Sequence, residues 1–64
     1  MPRYIVTPLY EPRGEGAGWD DAPSDDVATF FSVDAADGSE FGLDGESTRE
    51  GAQYLADRLN AANA

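Results

Sequence analysis

The 64 residues contain no cysteine, no histidine and no lysine. Lacking cysteine, the chain can form no disulfide, and lacking both cysteine and histidine it has no ligand set for a structural zinc. The commonest general base, the thiol nucleophile, the Schiff-base amine and the P-loop lysine are missing together. Long apolar runs are also absent: nothing approaches the roughly 20 apolar residues of a membrane span, and the segment from Met1-Pro2-Arg3-Tyr4 lacks the apolar run expected of a signal peptide. A cytoplasmic protein is expected, in the host cell cytoplasm if a phage encodes it. Large apolar residues are few, because ten of the hydrophobic residues are alanine. A domain this small buries only about 60% of the surface its unfolded chain exposes, so marginal stability is expected and dimerisation would relieve it.

What the chain has in excess is carboxylate. Asp20, Asp21, Asp25, Asp26, Asp34, Asp37, Glu40, Asp44 and Glu46 fall in one block that contains no cation. On either side the charges balance, Arg3 and Arg13 against Glu11 and Glu15, and Arg49 and Arg58 against Glu50 and Asp57. The net charge of -9 therefore sits in the middle of the chain. Such a surface repels nucleic acid and anionic membrane, whose phosphates need Lys or Arg, and attracts a basic protein surface.

The apolar pattern predicts an α+β fold, a small antiparallel sheet of about three strands covered on one face by a C-terminal helix, in a single domain spanning 1–64. Tyr4-Ile5-Val6-Thr7-Pro8-Leu9-Tyr10 is rich in β-branched and aromatic residues and reads as a strand over about 3–10. Pro8 has no amide hydrogen, which predicts a sheet edge or a bulge. Residues 11–26 have loop composition, with Trp19 their one large anchor and a lid over the core its expected role. A hairpin is expected over about 27–43. Its first strand would place Val27, Thr29, Phe31 and Val33 on one face and Ala28, Phe30 and Ser32 on the other, and Gly38 would take a positive φ in the turn. Ser47-Thr48-Arg49-Glu50 matches a capping box with Ser47 as N-cap and opens a helix over about 48–62. Ala52, Leu55, Ala56, Leu59 and Ala62 repeat along one helical face, with Gln53, Asp57 and Asn60 off that stripe.

No motif in this scaffold carries chemistry. Gly14-Glu15-Gly16-Ala17-Gly18 has Trp19 where GxGxxG needs its third glycine, so it reads as a flexible connector. An EF-hand register that puts its required glycine at Gly38 places Val33 and Ala35 at ligand positions, which fails the calcium pattern. No metal, cofactor or catalytic residue is expected, and the chain reads as non-enzymatic. The acidic block has two standing readings. It serves a partner, or it serves solubility or high-salt adaptation. For the first, carboxylates at alternate strand positions lie roughly 6.6–6.8 Å apart and can imitate a row of phosphates, which advance ~3.4 Å along the axis per nucleotide.

With the hairpin segment Phe30-Phe31-Ser32-Val33-Asp34-Ala35-Ala36-Asp37-Gly38 and a capped helix ending Leu59-Asn60, the chain resembles the small acidic proteins of phages and mobile elements, and is similar to anti-CRISPR proteins in size, charge and plan. The resemblance implies a stoichiometric inhibitor, a DNA mimic that blocks the Lys/Arg-lined DNA-binding groove of a nucleic-acid-guided effector complex. All nine carboxylates of the block are its candidate contacts, with Asp34 to Glu46 the stronger half because a hairpin holds them. The alternative is a small accessory or structural domain, monomer or homodimer, that acts through the open side of its sheet or pairs along the edge containing Pro8.

Overall fold

The computed structural model describes residues 3–12 and 18–63. Five elements follow one another: β1 (Tyr4–Tyr10), β2 (Asp20–Asp21), β3 (Phe30–Ala35), β4 (Asp44–Glu46) and α1 (Arg49–Ala62). The strands form an antiparallel sheet in the order β2-β1-β3-β4, and α1 packs across one face. This is the expected α+β architecture with a fourth, two-residue strand inside the predicted loop. The glycine-rich connector lies outside the described residues apart from Gly18.

The β1–β3 register sorts the side chains. Val6 lies opposite Val33, and Pro8 opposite Phe31, so these residues share the face that meets the helix. Phe31, Val33, Ala52 and Ala56 are the buried core, flanked by Tyr4, Val6, Ala28, Leu55 and Leu59. The alanines let the helix approach the sheet closely. Ala62, by contrast, is exposed. Off the apolar stripe, the Asn60 side-chain carbonyl accepts from the amides of Arg3 and Tyr4, both at 2.9 Å, and its amide donates to the Tyr4 carbonyl at 3.1 Å. One polar side chain thereby ties the end of the helix to the start of β1.

Pro8 does not mark an edge. β1 is interior, between β2 and β3, which removes the expected Pro8 edge as a dimer contact. Its missing amide hydrogen is tolerated because β2 pairs only with Leu9 and Tyr10, leaving the Pro8 nitrogen facing a nearly open side. The Pro8 carbonyl on that same side accepts from Ala22 at 2.9 Å.

The helix begins one residue later than the capping box implied. Thr48, not Ser47, is the N-cap, and its hydroxyl accepts from the Gly51 amide at 3.1 Å, which leaves Glu50 outside the capping-box position. The hairpin also differs from its expected limits. Residues 27–29 lie outside β3, and residues 36–43 form a loop before the ladder resumes at Asp44. Gly38 does adopt the positive φ expected of it, at 81°, and Gly42 adopts another, at 64°.

On the face away from the helix, the Phe30 ring lies over Gly45. A Cβ built there would come within 2.1 Å of the Phe30 Cζ. The strand therefore needs glycine for the ring's sake. Gly45→Ala is expected to displace Phe30 and to cost about 1–3 kcal/mol, the usual penalty of overpacking. Urea denaturation with near-ultraviolet circular dichroism checks this, and an unchanged midpoint and aromatic spectrum would contradict it.

Candidate binding face

Among the described residues, the sheet has one face under the helix and one face open. Ile5, Thr7 and Leu9 of β1 and Phe30, Ser32 and Asp34 of β3 point to the open side, the set out of phase with the core residues. Trp19, just before β2, packs its ring on Phe30 with centroids 5.4 Å apart and planes tilted by 34°. Phe41 rises from the loop between β3 and β4. Together they border a groove of about 570 Å³. Its walls are largely apolar yet wet: Ile5 is 41% exposed, Trp19 47% and Phe41 77%. Trp19 is therefore not a lid on the helix-side core, since it lies across the sheet from it.

Asp34 forms the polar floor of this groove and is only 6% exposed. One carboxylate oxygen accepts from the Ser32 hydroxyl at 2.5 Å and from the Gly42 amide at 2.9 Å. The other accepts from the Thr7 hydroxyl at 2.6 Å. Burial pushes the Asp34 carboxyl up, but the Gly42 amide and the Ser32 and Thr7 hydroxyls outweigh it and hold the group below the usual aspartate value. This arrangement also explains the displaced hairpin. Asp34 captures the Gly42 amide and pins the loop 36–43 against the sheet, which presents Phe41 at the rim.

The nine carboxylates of the central block do not form one face. Asp34 is buried, so it leaves the set of candidate partner contacts; the hydroxyls of Thr7 and Ser32 and the Gly42 amide give the charge a place inside. Asp25 forms a two-pronged ion pair with Arg49, whose guanidinium also lies 5.5 Å from the centroid of the Phe31 ring. The hydrogen bond from Arg49 holds the Asp25 carboxyl below its ordinary range. The block is thus linked to the helix by an arginine. Asp37 turns back on its own loop, accepting from the Ser39 amide at 2.9 Å and hydroxyl at 2.6 Å, which lowers its pKa.

The others remain exposed in different directions. Asp21 lies opposite Leu9 and lines the groove, whereas Asp20 pairs with Tyr10 on the helix side. Asp44 and Glu46, opposite Val33 and Phe31, also belong to the helix side. Asp44 accepts from the Gly45 amide at 2.8 Å, and the Glu46 side chain lies against Gly51 in the first turn of the helix. Glu40 borders a small depression beside Arg3, Tyr4 and Asp37, and Asp26 is exposed. Among the described residues, no group of three or more acidic side chains is arranged to hold a metal ion, and no helix is long and apolar enough to cross a membrane.

Aromatic residues as well as acids therefore line the groove. The alternation of Phe30 and Ser32 against Phe31 and Val33 already signalled two faces with one helix to cover them, but Ala28, expected beside Phe30, packs against the helix-side core because it precedes β3. Trp19 and Phe41 could not be assigned to the second face by sequence, because both lie outside the regular strands. No protein-family model matches the chain, and no curated protein or solved structure matches it.

Proposed function

We propose that the chain is a non-enzymatic interaction protein that binds a basic protein surface through the open face of its sheet. The observation that carries this reading is an exposed apolar and aromatic groove, bordered by Ile5, Trp19 and Phe41, in a chain of net charge -9. Exposed apolar surface of this kind drives association, while the charge selects a partner of opposite sign and speeds its approach. The one buried carboxylate among the described residues, Asp34, spends both oxygens on hydrogen bonds that fix the fold rather than on chemistry. Pairing with a second copy along a sheet edge is opposed by Asp20 and Asp21 on β2 and by Asp44 and Glu46 on β4.

In its narrower form the partner is the Lys/Arg-lined DNA-binding groove of a nucleic-acid-guided effector, which the protein occupies as an anti-CRISPR-like inhibitor and DNA mimic. Asp20, Asp21, Asp26, Glu40, Asp44 and Glu46 are the exposed carboxylates for that role; Asp25 and Asp37 are exposed but held by Arg49 and Ser39, and Asp34 is buried. Calorimetric titration into such an effector, at low and raised salt, tests the reading. Salt is expected to weaken binding steeply, and Phe41→Ala to weaken it by about tenfold or more. Binding that ignores both salt and Phe41→Ala would refute it.

A further inference from the structure

We infer that the open-face groove receives an arginine side chain of the basic partner, its guanidinium stacked on the aromatic platform and turned toward Asp21, with the buried charge of Asp34 attracting it through space without direct contact. Among the described residues, every electrostatic feature of the groove has the same sign. Three aromatic rings line it, those of Trp19, Phe30 and Phe41, and the π system of an aromatic ring attracts a cation over its face. Asp21 stands at its side and Asp34 in its floor, and among the described residues none that lines it is basic. Asp34 has only neutral hydrogen-bond donors, and no arginine pairs with it among the described residues. Its negative charge is solvated by the protein but not neutralised, so the floor of the groove attracts a cation.

Geometry selects among cations. A caged methylammonium needs rings standing around it as separate walls. Here Trp19 and Phe30 are packed on one another at 5.4 Å and tilted by only 34°, which makes a platform rather than a box. A planar, weakly hydrated guanidinium stacks on such a surface and can turn its N–H fork toward a carboxylate at the edge. An ammonium would keep more of its water. The groove is open along the sheet, so it admits a side chain presented by another protein.

This inference rests on the open face being the binding surface, and small probes separate the two ideas. N-acetyl-arginine amide, its citrulline isostere and N-acetyl-trimethyl-lysine amide would be titrated into the ¹⁵N-labelled protein, following the Trp19 indole, Phe41 and Gly42 resonances. Arginine is expected to move these signals, and citrulline, uncharged and of the same shape, to bind about tenfold more weakly. Phe41→Ala, at a residue 77% exposed, should reduce the arginine response without unfolding the domain. Equal binding of citrulline, a preference for trimethyl-lysine, or shifts confined to residues outside the groove would overturn the assignment. If a basic protein still perturbed the groove while arginine amide did not, only the arginine assignment would fall. Perturbation by that protein elsewhere on the surface would remove the open-face reading as well.

Discussion

Phe31→Ala is expected to abolish the cooperative folding of this domain near room temperature, or to leave it barely folded. The buried apolar core consists of Phe31, Val33, Ala52 and Ala56, and Phe31 is the largest of the four. Phenylalanine-to-alanine changes in cores cost about 3–5 kcal/mol. A chain of this length has roughly 3–10 kcal/mol in total, from about 0.05–0.15 kcal/mol per residue. The loss would extend beyond the cavity. Arg49 lies over the Phe31 ring and holds Asp25, so the ring also supports the contact that fastens the segment before β3 to the helix. Phe31→Leu keeps most of the apolar volume and should retain a cooperative, weakened transition. Thermal and urea unfolding by circular dichroism distinguishes them. A Phe31→Ala protein melting within a few degrees of the parent would show that the small core is not the main support of the fold.

The same residue shows how far the sequence could be read. Strand alternation placed Phe31 and Val33 on one face, and the spacing of Ala52, Leu55, Ala56 and Leu59 supplied the helix to cover them. These signals are strong because burial of one face enforces a period. Where no period exists, sequence reasoning lost its grip. β2 consists of two aspartates, whose pairing with Leu9 and Tyr10 depends on the chain returning to β1 rather than on any strand propensity. Asn60 looked like a surface residue, yet its amide offers a carbonyl and an N–H₂ group together, which suits the exposed amides and carbonyl at the start of β1.

The acidic block was the most visible feature and the least faithful guide to geometry. A charge count records no direction, and four of its members accept hydrogen bonds from the protein itself: Asp25 from Arg49, Asp37 from Ser39, Asp44 from Gly45, and Asp34 from Thr7, Ser32 and Gly42. Alternation in the sequence predicts the strand only as far as Val33, with Asp34 opening the turn, whereas β3 runs on to Ala35 and sets Asp34 in phase with Phe30 and Ser32. Its burial required knowing that Thr7 stands opposite Ser32 and that the loop folds back at Gly42. That is tertiary information. What the segregation of charge still provides is a long-range field, which brings a cation toward the protein without specifying where it lands.

Asp34 joins stability to the binding face, and its replacement should be felt in both. Asp34→Ala removes the acceptor for two hydroxyls and one backbone amide, and is expected to cost about 2–4 kcal/mol, since hydrogen bonds to a charged group contribute ~1.5–3 kcal/mol each and water entering the open groove recovers part of the loss. Asp34→Asn is the gentler and more informative change, because it preserves shape and one acceptor while removing the charge. The sign of the pH dependence follows from the depressed carboxyl of Asp34 in the folded protein. The unfolded chain takes up protons first, near the ordinary value of about 3.9. The charged form therefore contributes its full stability above that pH and loses it as pH falls through the lower folded-state value. Asp25 and Asp37 are shifted in the same direction and shape the acid limb of both proteins alike. Subtracting the Asp34→Asn curve from that of the parent isolates Asp34. The difference should be constant from neutral pH to about 5 and shrink steadily below about pH 4. At neutral pH, Asp34→Asn should also free the Gly42 amide, seen as faster hydrogen exchange, and broaden the Phe41 resonances as the loop loses its fastening. A stability difference that stayed constant into acid, with Gly42 still protected, would mean that the hydroxyls and the loop hold their positions without the carboxylate's charge. Phe41 would then owe its place at the groove to the backbone turn at Gly42 alone.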